Sequence, residues 1–254
     1  MAVKRSQSAT RVLAVLESIA RQQPIGVSAL ARSLGADKSA VQRAIMTLAD
    51  QGWVCMASSA PSKWQLTGHL LSVAHAGQMS NGLRQRSRAA LELLREESGE
   101  TVLLVVPDIR RFVVIDIFES RQLLRTAPTI GMTVPVRRSA TSRAMLPHMS
   151  RERQIELLGE SPDEALLAEF SATLTMGYSV SDGDVIAGST NVAAPILDLD
   201  GQPAGAVVVS GPSERLGIRR QRSIGALVLR TARGLSRPTQ ISSIGHKGQD
   251  NHSA

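Results

Sequence analysis

The chain has 254 residues, enough for one large core or two small ones, and its 29 Lys and Arg against 22 Asp and Glu leave a net charge of +7. A single cysteine, Cys55, excludes a disulfide framework and points to a reducing compartment. No apolar run reaches the roughly 18 residues of a membrane span, and Arg11, Glu17 and Arg21 break the basic N-terminal stretch, which reads as an amphipathic helix and not a signal peptide. The expectation is a cytoplasmic protein with no membrane contact.

The charge is local. Residues 1 to 79 hold Lys4, Arg5, Arg11, Arg21, Arg32, Lys38, Arg43 and Lys63 against Glu17, Asp37 and Asp50, a net +5 that favours a polyanionic partner. The first predicted helix runs from about Ser8 to Gln22, with Ala9, Val12, Leu13, Leu16, Ile19 and Ala20 on one face, and stops before Pro24. "VSALARSLG" follows, with Ser28 as N-cap, Leu30 and Leu34 as the buried stripe and Gly35 at the C-terminal turn. The third predicted helix, "KSAVQRAIMTLAD", has Asp37 as N-cap and Gly52 as its stop.

That third helix divides cleanly. Val41, Ala44, Ile45 and Leu48 form an apolar stripe, while Lys38, Ser39, Gln42, Arg43 and Thr47 lie opposite. Only Gly35 and Ala36 or so separate it from the second helix, which is helix-turn-helix spacing. Two apolar runs, Trp53 to Met56 and Trp64 to Leu66, flank a Ser/Ala/Pro turn and predict a hairpin with Lys63 beside the turn. Three helices and a hairpin make a winged helix-turn-helix, whose third helix enters the major groove of double-stranded DNA. Lys38, Ser39, Arg32 and Lys63 then suit phosphates, Gln42 suits adenine, and Arg43 suits guanine or a phosphate.

Leu70, Leu71, Val73 and Ala74 mark a linker helix, and Leu83, Ala90, Leu91 and Leu94 mark another after a break at "SNG". From residue 100 to 235 the pattern changes to β-rich pairs. "ETVLLVV" and "RFVVIDIF" surround "PDIR"; "NVAAPILDLD" and "AGAVVVSG" surround "DGQP". Helical stretches lie between them, and "ERLGIRRQRSIGALVLRTARGLS" closes the segment. The fold class is α+β with an antiparallel sheet. The predicted divisions are a DNA-binding domain over 1–67, a linker helix over 68–82, an effector-binding domain over 83–236 and a disordered tail over 237–254.

The order and spacing of "KSAVQRAIMTLADQGWV", "GETVLLVV", "VPVRRSATSRAML", "GYSVSDGD" and "NVAAPILDLDGQPAGAVVVSGP" resemble the IclR family of transcriptional regulators. The resemblance implies an N-terminal winged helix, a linker helix and a GAF-like domain that binds a small organic effector, in a homodimer or tetramer. It places the effector among Thr126, Val134, Ser139, Ala140, Thr141, Ser181, Asn191, Val208 and Ser210. Asn191 and Val208 stand where acid-binding members carry cysteine and serine, which points away from a two-carbon polar acid and toward a carboxylate with an apolar body. Ser139 suits an N-cap, with the Ala140 and Thr141 N–H groups turned to the carboxylate.

The remaining chemistry is sparse. The five histidines show no metal-ligand spacing, and no cofactor or nucleophile motif occurs. Cys55 reads as a buried structural thiol, and Asp182 and Asp184 as turn residues. The reading is an effector-controlled DNA-binding regulator, not an enzyme. Its alternatives are an effector-independent regulator, and a ligand module or enzyme that does not bind DNA.

Overall fold

Residues 6–76 and 81–236 are described by a computed structural model, in which the chain divides into two units, Met1–Asn81 and Gly82–Ala254. The predicted tail, 237–254, and residues 77–80 of the predicted linker lie outside the described residues.

In the first unit, α1 (Gln7–Gln22), α2 (Val27–Leu34) and α3 (Lys38–Asp50) pack on a three-stranded sheet of order β1-β3-β2. Its strands are β1 (Ile25–Gly26), β2 (Val54–Ala57) and β3 (Ala60–Leu66), and α4 (His69–Ala76) follows. Val15, Ile19, Leu30, Val41, Ile45, Val54 and Trp64 form its core. Two local expectations change. Ser28 lies inside α2, whose N-cap is Gly26, because the pairing of β1 with Trp64 and Lys63 holds that residue extended. The buried face of α1 also rotates toward Val15 and Ser18, leaving Leu13 60% exposed. Gly35 ends α2 as read, in the left-handed conformation (φ 56°) that a side chain would resist.

The second unit is a six-stranded antiparallel sheet of order β6-β5-β4-β9-β8-β7. The strands are β4 (Thr101–Pro107), β5 (Phe112–Phe118), β6 (Thr133–Val134), β7 (Ser179–Asp182), β8 (Ser189–Leu197) and β9 (Pro203–Pro212). Helices cover both faces, which explains why the central strands are nearly continuous apolar runs. Leu91 and Leu94 of α5 (Asn81–Ser98) and Ile224 and Val228 of α9 (Ile218–Ser236) pack with Val102, Leu104, Val207 and Val209. On the other face α6 (Ala140–Met145), α7 (Arg151–Leu158) and α8 (Glu164–Met176) bring Ala140, Ala144, Leu157 and Phe170 against Leu103, Val105, Ala193 and Val208. β6 and β7 are absent from the sequence reading, and α9 begins four residues later than "ERLG" suggested.

Candidate functional sites

Asp37 caps α3, accepting from the Ser39 and Ala40 amides at 2.9 and 3.1 Å. Its carboxylate also accepts from the Ser39 hydroxyl at 2.5 Å, and the Arg43 guanidinium donates to that hydroxyl at 3.2 Å. The Ser39 hydroxyl, then the Ala40 amide, holds the Asp37 carboxyl below the usual carboxylate range. Ser39 is therefore committed to the cap and to Arg43, a role the sequence did not reveal. With Val41, Ala44, Ile45 and Leu48 buried, Lys38, Ser39, Gln42, Arg43 and Thr47 are all exposed on the opposite face. Met46 joins them at 45% exposure and was missed; its signal was an apolar residue three and four positions beyond Arg43 and Gln42.

Arg32 is exposed on α2 and shares a shallow crevice with Ser28, Gly35 and Lys38. The hairpin turn narrows to Ser58–Ser59, because β3 starts at Ala60. Lys63 therefore stands within β3 opposite Gly26, exposed, and not beside the turn. Cys55 is exposed on β2, so the expected buried thiol is corrected: β2 turns Val54 and Ala57 inward and leaves Cys55 and Met56 outside. His69, at the start of α4, meets the Trp53 ring edge-on at 4.6 Å.

In the second unit, register fixes one polar row across the sheet. Ser181 pairs with Asn191, Asn191 with Ser210, and Ser210 with Thr101, so their side chains share the face covered by α6. Along the strands the next row is Ala193, Val208 and Leu103. Above these rows lies a cavity of about 490 Å³. Thr126, Val134, Ser139, Ala140, Thr141, Asn191, Val208 and Ser210 line it, together with Leu124, Met132, Ile186, Ser189 and Glu214, which the sequence did not nominate. Ser181 does not line it. The α6 helix packs across β7, with the Ser179 hydroxyl donating to the Ala140 carbonyl, and Ser181 is left 1% exposed with no partner for its hydroxyl.

The two ends of the cavity differ. Ser139 caps α6 by accepting from the Ser142 amide at 3.1 Å. Around that turn the side chains of Thr141, Ser189, Asn191 and Ser210 have no hydrogen-bond partner among the described residues, although Thr141, Ser189 and Ser210 are 3%, 6% and 5% exposed. The buried, unpartnered side-chain atoms among the described residues are Arg84 Nε, Arg143 Nε and Ser181 Oγ, so the polar atoms of Thr141, Ser189, Asn191 and Ser210 open onto the cavity, where water or a polar occupant can meet them. Leu103, Leu124, Met132, Val134, Ile186 and Val208 make most of the rest apolar, and Glu214 is its acidic lining residue. Its cationic lining residue, Arg125, is paired with Glu119 at 3.0 Å. Arg137 and Arg138 are exposed and do not line the cavity.

The two turn aspartates have separate duties. Asp182 accepts from the hydroxyls of Ser213 at 2.6 Å and Thr190 at 2.5 Å, which hold its carboxyl below the usual range. Asp184 pairs with Arg143 of α6 at 2.7 Å. No helix among the described residues is long and apolar enough to cross a membrane.

A winged helix-turn-helix joined in one chain to a sheet domain that holds a cavity is the make-up of a DNA-binding transcriptional regulator, and comparison with known proteins specifies which kind. The model for the IclR helix-turn-helix domain matches residues 8–55, and that for the bacterial transcriptional regulator IclR C-terminal region matches residues 76–237. The chain belongs to the IclR family, whose members are transcriptional regulators and not enzymes. The acetate operon repressor of Salmonella typhimurium is 30% identical over 241 residues, covering 89% of this chain and 88% of its own. An IclR transcriptional regulator from Alicyclobacillus acidocaldarius has the same fold, with a TM-score of 0.76 at 18% identity over 92% of this chain and 98% of that one. So has an IclR homolog from Microbacterium hydrocarbonoxydans complexed with 4-hydroxybenzoate, with a TM-score of 0.75 at 19% identity over 91% and 99%.

Proposed function

We propose that this regulator reads its operator with the outer face of α3 and is controlled by a small amphipathic organic acid in the cavity of the second unit. Gln42 and Arg43 contact base edges, with Met46 placed for a thymine methyl; Lys38, Arg32 and Lys63 hold phosphates; Ser39 and Thr47 steady the helix surface. The functional divisions follow: DNA binding over 1–67, a linker over 68–82 and effector binding over 83–236.

The observation that carries the effector reading is the set of hydroxyls and the Asn191 amide that open onto the cavity around the first turn of α6, facing a wall that is mainly apolar apart from Glu214 and the Glu119-paired Arg125. The carboxylate meets the Ala140 and Thr141 N–H groups, which helix geometry leaves without intrahelical partners. Val208 and Leu103 receive the apolar body. The 4-hydroxybenzoate bound to the Microbacterium hydrocarbonoxydans homolog has this chemistry.

Thermal-shift assays with 4-hydroxybenzoate, octanoate and acetate test this. An occupant at a hundred times its Kd should stabilise the protein by about 2.7 kcal/mol. The two larger acids are expected to shift the melting temperature and acetate is not. The shift should vanish in Asn191→Leu/Ser210→Val; shifts that survive that double substitution, or none at all, refute the assignment.

The working species is a dimer, since one winged domain reads too few base pairs for specificity. Leu71 and Val73 of α4, 75% and 44% exposed, supply apolar surface for the contact. Light scattering at micromolar concentration should give twice the 27.1 kDa chain mass or a multiple of that. A monomer with full operator affinity would rule this out.

A further inference from the structure

The β7–β8 loop, residues 183–188, begins and ends on glycines in the left-handed conformation, Gly183 (φ 75°) and Gly188 (φ 77°). Nothing lies within 4 Å of a Cβ built on either, so both ends of the loop are glycine backbone in uncrowded surroundings. Between them Val185, Ile186 and Ala187 line the cavity. Ile186 is nonetheless 57% exposed, and Leu124, on a separate segment of the wall, is 63% exposed. Two large apolar side chains thus stand at the mouth with no protein covering them.

Among the described residues, one side-chain hydrogen-bonded ion pair ties this loop to the rest of the unit: Asp184 with Arg143, at 2.7 Å. Arg143 is 13% exposed and anchored on α6, where it also donates to the Arg138 carbonyl at 2.9 Å and meets Glu169 at 3.3 Å. The backbone supplies three closing bonds: Gly183 N–H to the Ser189 carbonyl, Ser189 N–H to the Ile186 carbonyl and Ser213 N–H to the Gly188 carbonyl.

From this arrangement we infer that residues 183–188 are a lid on the cavity, clasped to α6 by the Asp184–Arg143 pair. An occupant with an apolar body draws Ile186 and Leu124 over itself, so the lid selects for apolar bulk. Arg143 is a positioning residue, joining the lid to the helix whose first turn forms the polar end. The inference rests on the cavity being the effector site, but its test needs no effector.

Hydrogen–deuterium exchange of the full chain, without ligand, reads the clasp directly. Asp184→Ala should speed exchange of the Gly183, Ser189 and Ser213 amides roughly two- to five-fold, the scale of one partly exposed ion pair. Amides of β4 and β9 should exchange at wild-type rates. Glu169→Gln removes the other acidic partner of Arg143 without touching the loop and should leave the lid amides unchanged. Wild-type exchange in Asp184→Ala, or equal acceleration in Glu169→Gln, would overturn the clasp. A blank thermal-shift panel would instead remove the effector reading and leave the clasp standing.

Discussion

Arg215→Met should destabilise the second unit by about 3 kcal/mol, toward the lower end of the 3–5 kcal/mol seen when a buried ion pair loses one member. Glu100, entering β4, is 1% exposed. The Arg215 guanidinium grips its carboxylate with two hydrogen bonds, at 2.7 and 2.6 Å. Gly211 backs onto the same carboxylate so closely that a Cβ there would fall 2.6 Å from Oε2. Without Arg215 the charge stays buried and uncompensated; because Arg215 is itself 31% exposed, some water can enter and soften the loss. Urea denaturation should show the lower midpoint at unchanged slope. Glu100→Gln/Arg215→Met should recover much of it, since the amide carries no charge to strand. A single-variant loss below about 1 kcal/mol would mean that the carboxylate is already solvated.

Arg43→Ala should cost about 1–3 kcal/mol in operator binding, roughly 5- to 150-fold in Kd, and flatten the preference at one base pair. The guanidinium is exposed on the outer face of α3 yet held by Ser39, so part of its ordering precedes binding. Lys63→Ala is the contrasting variant: it should weaken all duplexes alike and reduce the salt slope by about one unit. Fluorescence anisotropy at several salt concentrations, on an operator selected from random DNA and on a scrambled duplex, separates the two behaviours. If Arg43→Ala keeps wild-type affinity and selectivity, another residue reads the bases.

The helix-turn-helix was legible because its signals are local. Asp37, Gly35 and the Val41, Ala44, Ile45 and Leu48 stripe each act within a few residues, and each stands where its chemistry demands. The errors arose where distant strands decide. Gly26 displaced Ser28 as N-cap because β3, almost forty residues on, holds Gly26 extended. The β7 strand reads "SVSD", too short and polar to announce itself, and becomes a strand by pairing with β8. The polar row of Asn191 and Ser210 had family counterparts to mark it. Leu124, Ile186 and Glu214 reach the cavity on turns without periodicity, and only the folded chain brings them together.

The two sites differ in how freely they can change over evolutionary time. Gln42, Arg43 and Thr47 project from a helix whose opposite side alone fills the core, so their replacement leaves the packing of the first unit intact. The cavity floor is not separable in this way. Leu103, Ala140 and Val208 line the cavity and also belong to the buried cluster beneath α6 and α8. Any exchange that reshapes the cavity there also alters close-packed volume. Drift in DNA preference is thus nearly neutral for folding, while drift in ligand preference must be compensated elsewhere in the same core. With the cavity as the proposed effector site, a lineage built on this scaffold acquires new operators more readily than new effectors.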